Sequence, residues 1–174
     1  MKILVSACLL GENCKYSGGN NYNQAVCDFA RGHQVVPVCP EVLGGLPTPR
    51  CPAEIVQGVV TNKEGINVDR EFRAGAAKAL AIAKENGVEL AILQSRSPSC
   101  GVKEIYDGTF SGTKIPGQGV FAKMLMDEGV RVLDAGELPK IILKNEDGKC
   151  QSNWFAAILT VRCCNTAKRN WKTR

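Results

Sequence analysis

The chain is poor in several things that would have decided its class at once. One histidine, His33, stands among 174 residues, and no two cysteines are spaced Cys-x-x-Cys. The first scarcity leaves little for a Cys/His zinc site, and the second argues against zinc ribbons and a thioredoxin-like pair. No apolar run approaches the ~20 residues that cross a bilayer, so no membrane helix is expected. Glycine and proline number 18 and 8, too few for a collagen-like or low-complexity chain. A hydrophobic share of 44% against 22% charged residues excludes a fully disordered one.

What stands out instead is nine cysteines. A disulfide framework would need export, and the N-terminus argues against it. Val5-Ser6-Ala7-Cys8 imitates the box before a lipidated cysteine, but only seven residues precede Cys8, one of them Lys2. An export signal needs an apolar stretch of about 7–15 residues before its cleavage site. The expectation is a cytoplasmic protein whose cysteines are reduced thiols or metal ligands.

The net charge of +5 is unevenly placed. Residues 1–138 carry 14 Lys/Arg against 15 Asp/Glu, whereas residues 139–174 carry 8 against 2. The reading is one domain over 1–138 and a basic C-terminal extension over 139–174, holding Cys150, Cys163, Cys164 and an apolar stretch from Trp154 to Val161. Basicity confined to a tail is a weak sign of nucleic acid, and neither nucleic acid nor membrane is expected as a partner.

Along the domain, Lys2 to Ser6, Gln34 to Val38, Leu90 to Leu93 and Val130 to Leu133 read as short buried strands. Helices are expected over 21–31, 69–86 and 120–128. Asp69 is placed to cap the second of these and Gly87 to follow its end, while Val120, Met124 and Leu125 form the inward face of the third. Residues 40–53, with four prolines, read as an ordered loop, and residues 54–68 as a hairpin turning near Lys63-Glu64-Gly65. A long glycine-rich loop runs from Ser95 to Gly119. Alternating strands and helices predict an α/β fold: a Rossmann-like, three-layer domain with a mostly parallel sheet and helices on both faces. Pro37 places its strand at the edge, and the crossover rule then orders the sheet 34–38, 2–6, 90–93, 130–133.

In such sheets ligands bind beyond the carboxyl ends of the strands. Cys8 lies two residues after the first strand, Cys39 directly follows the second, and Ser97 and Cys100 sit in the loop leaving the third. Three cysteines from three loops therefore converge on one sheet edge. Cys27, inside a helix, reads as a small core residue, and Cys14 and Cys51 as bystanders or supporting groups. A phosphatase loop is excluded, because Cys14, Gly45 and Tyr106 stand where its arginine would follow each cysteine. Gly117-Gln118-Gly119 imitates a dinucleotide fingerprint without the preceding strand, yet it offers backbone N–H groups to an anion. Three thiolates without a fourth ligand suit a three-cysteine zinc or a 4Fe–4S cluster with one open iron. Glu41 and Ser97, close in sequence to the ligands, form an acid–base pair for either.

The segments SACLLGENCKYSGGNN (6–21), PVCPEVLGGLPTPRCPAEI (37–55), RSPSCG (96–101) and IYDGTFSG (105–112) resemble those of the thiouracil desulfidase family from Lys2 to about Leu138. The resemblance implies an α/β domain holding a 4Fe–4S cluster through Cys8, Cys39 and Cys100, with Glu41 and Ser97 as the acid–base residues. It implies a small thionated nucleobase, or a similar thio-compound, as substrate. Sulfur would bind the open iron and leave as sulfide while water replaces it, with no net electron transfer. Two other readings are a sulfur-relay protein for thiolation on the same cluster, and a non-enzymatic zinc or redox-sensing module.

Overall fold

The computed structural model describes residues 1–138; the expected extension, with Cys150, Cys163, Cys164 and the stretch 154–161, lies outside the described residues. Its elements run β1 (Lys2–Ser6), a 3-10 turn (Ala7–Leu10), α1 (Gln24–Ala30), β2 (Gln34–Val38), α2 (Pro40–Leu43), β3 (Ala53–Val56), β4 (Val59–Asn62), α3 (Asp69–Glu85), β5 (Leu90–Leu93), β6 (Glu104–Tyr106), β7 (Lys114–Pro116), α4 (Val120–Asp127) and β8 (Arg131–Asp134).

Four parallel strands form the main sheet in the order β2-β1-β5-β8, the order that Pro37 and the crossover rule require. Leu4 pairs with Val36 on one side and Ala91 on the other, and Ile92 pairs with Leu133. These strands are only four or five residues long, so burial rather than ladder length holds them. Ile3, Leu4, Val5 and all of β5 are fully buried, each large side chain contributing about 1.5–3 kcal/mol. Leu4, Val38, Ala91 and Leu93 pack with Ala76, Ala79 and Ala83 of α3 and Phe121 and Leu125 of α4. Ile3, Val5, Leu90 and Ile92 alternate to the opposite side and are equally buried, so both faces of the sheet are covered.

Several local expectations are corrected. The 53–62 hairpin turns at Gln57-Gly58, whose φ values are 49° and 84°. That left-handed pair suits a two-residue hairpin. Lys63-Glu64-Gly65 makes a second turn leading to the bridge between Thr61 and Asn67. Asp69 does not cap α3, whose cap position is Val68; its carboxylate accepts from the Val60 N–H at 3.1 Å and pairs with Arg73. The inward face of α4 centres on Phe121, Ala122 and Leu125, with Val120 and Met124 only half-buried. Residues 40–43 form a helical turn rather than loop, and the 95–119 segment contains the antiparallel pair β6-β7.

Candidate active site

Each site residue follows the carboxyl end of a strand. β1 delivers Cys8 through the 3-10 turn, β2 delivers Cys39 and then Glu41 on α2, and β5 delivers Ser97 and Cys100. These five residues line one cavity of about 430 Å³, together with Cys14, Arg50, Cys51, Tyr106 and Phe110. The convergence read from strand-end positions is therefore present as a shared cavity.

The loop carrying Cys100 is fixed from both sides. The Ser97 hydroxyl accepts from the backbone N–H groups of Ser99 and Cys100, both at 3.1 Å. The N–H groups of Gly119, Val120, Phe121 and Ala122 go to carbonyls of Gly101, Pro98 and Ser99. The anion site expected at Gly117-Gln118-Gly119 is thereby corrected: the donors at the start of α4 already hold the 98–101 segment. Gly119 is required by that approach, since a Cβ there would lie 2.5 Å from the Ser99 carbonyl.

Glu41 is held by three side chains. Its Oε2 receives Arg50 Nε at 2.8 Å and Arg50 Nη2 at 2.7 Å. Its Oε1 faces the hydroxyls of Ser97 at 3.4 Å and Ser99 at 3.2 Å. The expected pairing of Glu41 with Ser97 is thus a long hydrogen bond. Arg50 and Ser99 escaped the sequence reading. The only signal for Arg50 was a cation inside a proline-rich loop that follows a carboxylate.

The thiols sit in an environment that disfavours their anions. Burial, above all, raises Cys100 beyond the ordinary thiol range; the charges of Glu41, Cys39 and Cys14 add to this, and a Ser6 hydrogen bond opposes it. Cys39 is raised by its hydrogen bond with Cys14 and by burial, against a contact from the Val42 N–H. For Cys14 the hydrogen bond with Cys39 lowers the pKa, but the bond with Cys8, burial and the charges of Cys8 and Glu12 outweigh it, and the thiol stands at about 11. Cys14 is therefore a fourth thiol whose ionisation is coupled to two of the three predicted ligands, and its backbone carbonyl accepts from Cys39 Sγ at 3.9 Å. Asn21 Nδ2 also approaches Cys8 Sγ at 3.8 Å.

Crowded thiols that resist ionisation alone are the donors that a soft cation converts to thiolates. Among the described residues no three Cys, His, Asp or Glu side chains group closely enough to hold one metal ion. Three thiols opening on one cavity are a donor set that fits an iron–sulfur cluster.

The 105–112 motif builds the opposite wall. Buried Glu54 on β3 accepts the N–H groups of Gly108 at 3.0 Å and Phe110 at 3.1 Å. This holds Phe110 at φ 57°, a conformation that costs an aromatic residue energy and needs such support. His33, stacked on Phe29 with its Nδ1 3.0 Å from the Phe29 carbonyl, is a structural residue away from this cavity.

Comparison with known proteins gives the family and the fold. The chain is 42% identical over 150 residues to an uncharacterised protein, YbbK, of Bacillus subtilis (strain 168), covering 80% of this chain and 99% of that protein. Its fold matches a solved structure of the [4Fe–4S]-dependent thiouracil desulfidase TudS with a TM-score of 0.75 at 37% identity, over 83% of this chain and 97% of the other. The family model described as 2-thiouracil desulfurase matches residues 3–137, which hold all of the sheet but Lys2 and every residue of the cavity. The chain belongs to the 2-thiouracil desulfurase family.

Proposed function

We propose that this protein catalyses the non-redox, hydrolytic removal of sulfur from a small thio-compound of the thiouracil class. The observation that carries the reading is the meeting of Cys8, Cys39 and Cys100 with Glu41 and Ser97 at one cavity, in a chain of this family. The cavity's size suits a single small ring. Residues 1–138, read as a Rossmann-like three-layer domain, would carry the activity, with 139–174 as an appended basic extension. Among the described residues no helix is long and apolar enough to cross a membrane, in keeping with a cytoplasmic enzyme.

In this reading Cys8, Cys39 and Cys100 hold a [4Fe–4S] cluster. When bound, it supplies a sulfur-seeking Lewis acid with one position free of protein ligands. The rest of the chemistry belongs to the chain. Glu41 Oε1, turned toward Ser97 and Ser99, takes a proton from water as its oxygen bonds to the thiocarbonyl carbon. The Ser97 hydroxyl, anchored by two backbone N–H groups, keeps that carboxylate edge oriented; Glu41 passes the first proton of the water to the departing sulfur, and the second follows as the carbonyl forms. One C–O bond forms, the C–S bond breaks, and the products are the carbonyl compound and hydrogen sulfide. The atoms of one water balance the exchange, and no electron is transferred. Tyr106 and Phe110 supply the aromatic wall against which a planar ring can lie.

The test is anaerobic reconstitution of the full chain, measuring iron, acid-labile sulfide, and sulfide released from 2-thiouracil and 4-thiouracil without reductant or ATP. Four irons per chain with sulfide and uracil formed would support the reading. Zinc retained without iron, or a loaded protein inert toward both compounds, would overturn it.

A further inference from the structure

We infer that Arg50 is the positioning residue that makes Glu41 a one-edged base, an inference resting on the role proposed for Glu41. The guanidinium has five N–H donors in a fixed fork. Nε donates to Glu41 Oε2 at 2.8 Å; Nη2 forms an ion pair with the same oxygen at 2.7 Å and donates to the Cys14 carbonyl at 2.9 Å. Nη1 donates to the Pro47 carbonyl and to Thr48 Oγ1, both at 3.1 Å. Four hydrogen bonds and the ion pair hold the guanidinium, and the side chain is 7% exposed.

Three features set this apart from an ordinary ion pair. First, both charged contacts fall on one carboxylate oxygen, whereas a fork-to-fork pair would engage both. Oε2 is occupied, and Oε1 is left to Ser97, Ser99 and the cavity. Second, the remaining donors go to neutral groups on two other segments, 47–48 and Cys14. The guanidinium thus ties the Glu41 turn to the loop that follows Cys8. Third, Arg50 reaches no group of the Cys100 loop directly; it acts on that side only through Glu41. Arg50 therefore governs where the working oxygen points; its one link toward a sulfur is the Cys14 carbonyl, which also accepts from Cys39 Sγ at 3.9 Å. Lysine cannot replace it, because an ammonium has three donors and no fork for these five contacts.

The test uses the full chain, reconstituted anaerobically, as wild type, Arg50→Ala and Arg50→Lys. Iron content, kcat and KM for 2-thiouracil are measured with and without added guanidinium chloride at sub-denaturing concentration. The expectation is iron near the wild-type level and KM within about threefold in both variants. In Arg50→Ala, kcat should fall about 10²-fold, the scale of a misplaced catalytic group; guanidinium should restore at least tenfold of it, and lysine should restore less. Iron lost in proportion to kcat, wild-type kcat in Arg50→Ala, or no response to guanidinium would overturn the inference. If the wild-type enzyme itself is inert toward thiouracils, the desulfidase reading fails separately. The clamp is then judged by an unfolding double-mutant cycle with Arg50→Lys and Glu41→Gln. Non-additivity of tenfold or more in the unfolding constant supports the clamp; additive effects refute it.

Discussion

Replacing Gly75 with alanine should damage the site from outside it. Gly75 lies in the middle of α3, where the turn of α2 crosses it. A Cβ at this position would stand 1.9 Å from the Pro40 carbonyl oxygen, 2.7 Å from Gly44 N and 2.9 Å from Gly44 Cα. An ordinary carbon–oxygen contact is about 3.3 Å, so the two elements must part by roughly 1.4 Å. All three obstructing atoms are backbone and cannot rotate aside, which places the cost at the upper end of overpacking, about 3 kcal/mol. Alanine returns about 1 kcal/mol through its better helix propensity. The net expectation is a loss of about 2 kcal/mol, a change of about 30-fold in the unfolding constant. Pro40 stands between Cys39 and Glu41, so the same displacement moves the proposed ligand and the proposed base together. Urea unfolding under anaerobic conditions gives the stability, and iron content and sulfide release report the site. Gly19→Ala is the control, since a Cβ there has nothing nearer than Ser17 Oγ at 4.0 Å. A stability loss under about 0.5 kcal/mol with full turnover would refute the claim that the α2–α3 approach sets Glu41.

Cys100→Ala should abolish iron binding after reconstitution, whereas Glu41→Ala should bind iron normally and release no sulfide; normal turnover in Glu41→Ala would remove its assigned role. Glu54→Ala leaves the Gly108 and Phe110 N–H groups without their acceptor, so thermal unfolding should show a loss of about 2 kcal/mol and KM should rise more than kcat falls. In reduced, iron-free protein the Cys14 thiol, at about 11 instead of its ordinary 9.0, should be alkylated on the order of a hundredfold more slowly than an unperturbed thiol at pH 8. The thiolate is the reactive form, so the rate should climb about tenfold per pH unit until pH approaches 11. A rate already level at pH 9 would contradict the assigned environment.

The sheet was legible in the sequence because its strands are continuous apolar runs and because Pro37 can stand only at an edge. The strand-end cysteines were legible for the same reason: once the sheet order is known, Cys8, Cys39 and Cys100 must emerge on one side. Periodicity could not reveal the short elements. Pro40–Leu43 is one turn, and Glu104–Tyr106 and Lys114–Pro116 are three residues each, too short for a repeat to appear. The hairpin turn was misplaced because Gln57-Gly58 is a less conspicuous turn pair than Glu64-Gly65. Arg50 was invisible for a different reason. Its meaning lies in four acceptors drawn from three segments, and no spacing in the chain encodes that meeting. The helix N-terminus at Gly119 misled because an unsatisfied donor row is indistinguishable in sequence from one already paired, here with the 98–101 carbonyls.

The central claim is that water, directed by Glu41 in the cavity that Cys8, Cys39 and Cys100 help to line, replaces sulfur without any change of oxidation state. Turnover of 2-thiouracil by the reconstituted full chain in ¹⁸O-enriched water, anaerobically and without reductant, tests it most directly. The account predicts uracil carrying one ¹⁸O atom at carbon 2, with one sulfide released for each uracil formed. Uracil without the label, or sulfide release that depends on an added electron donor, would contradict it.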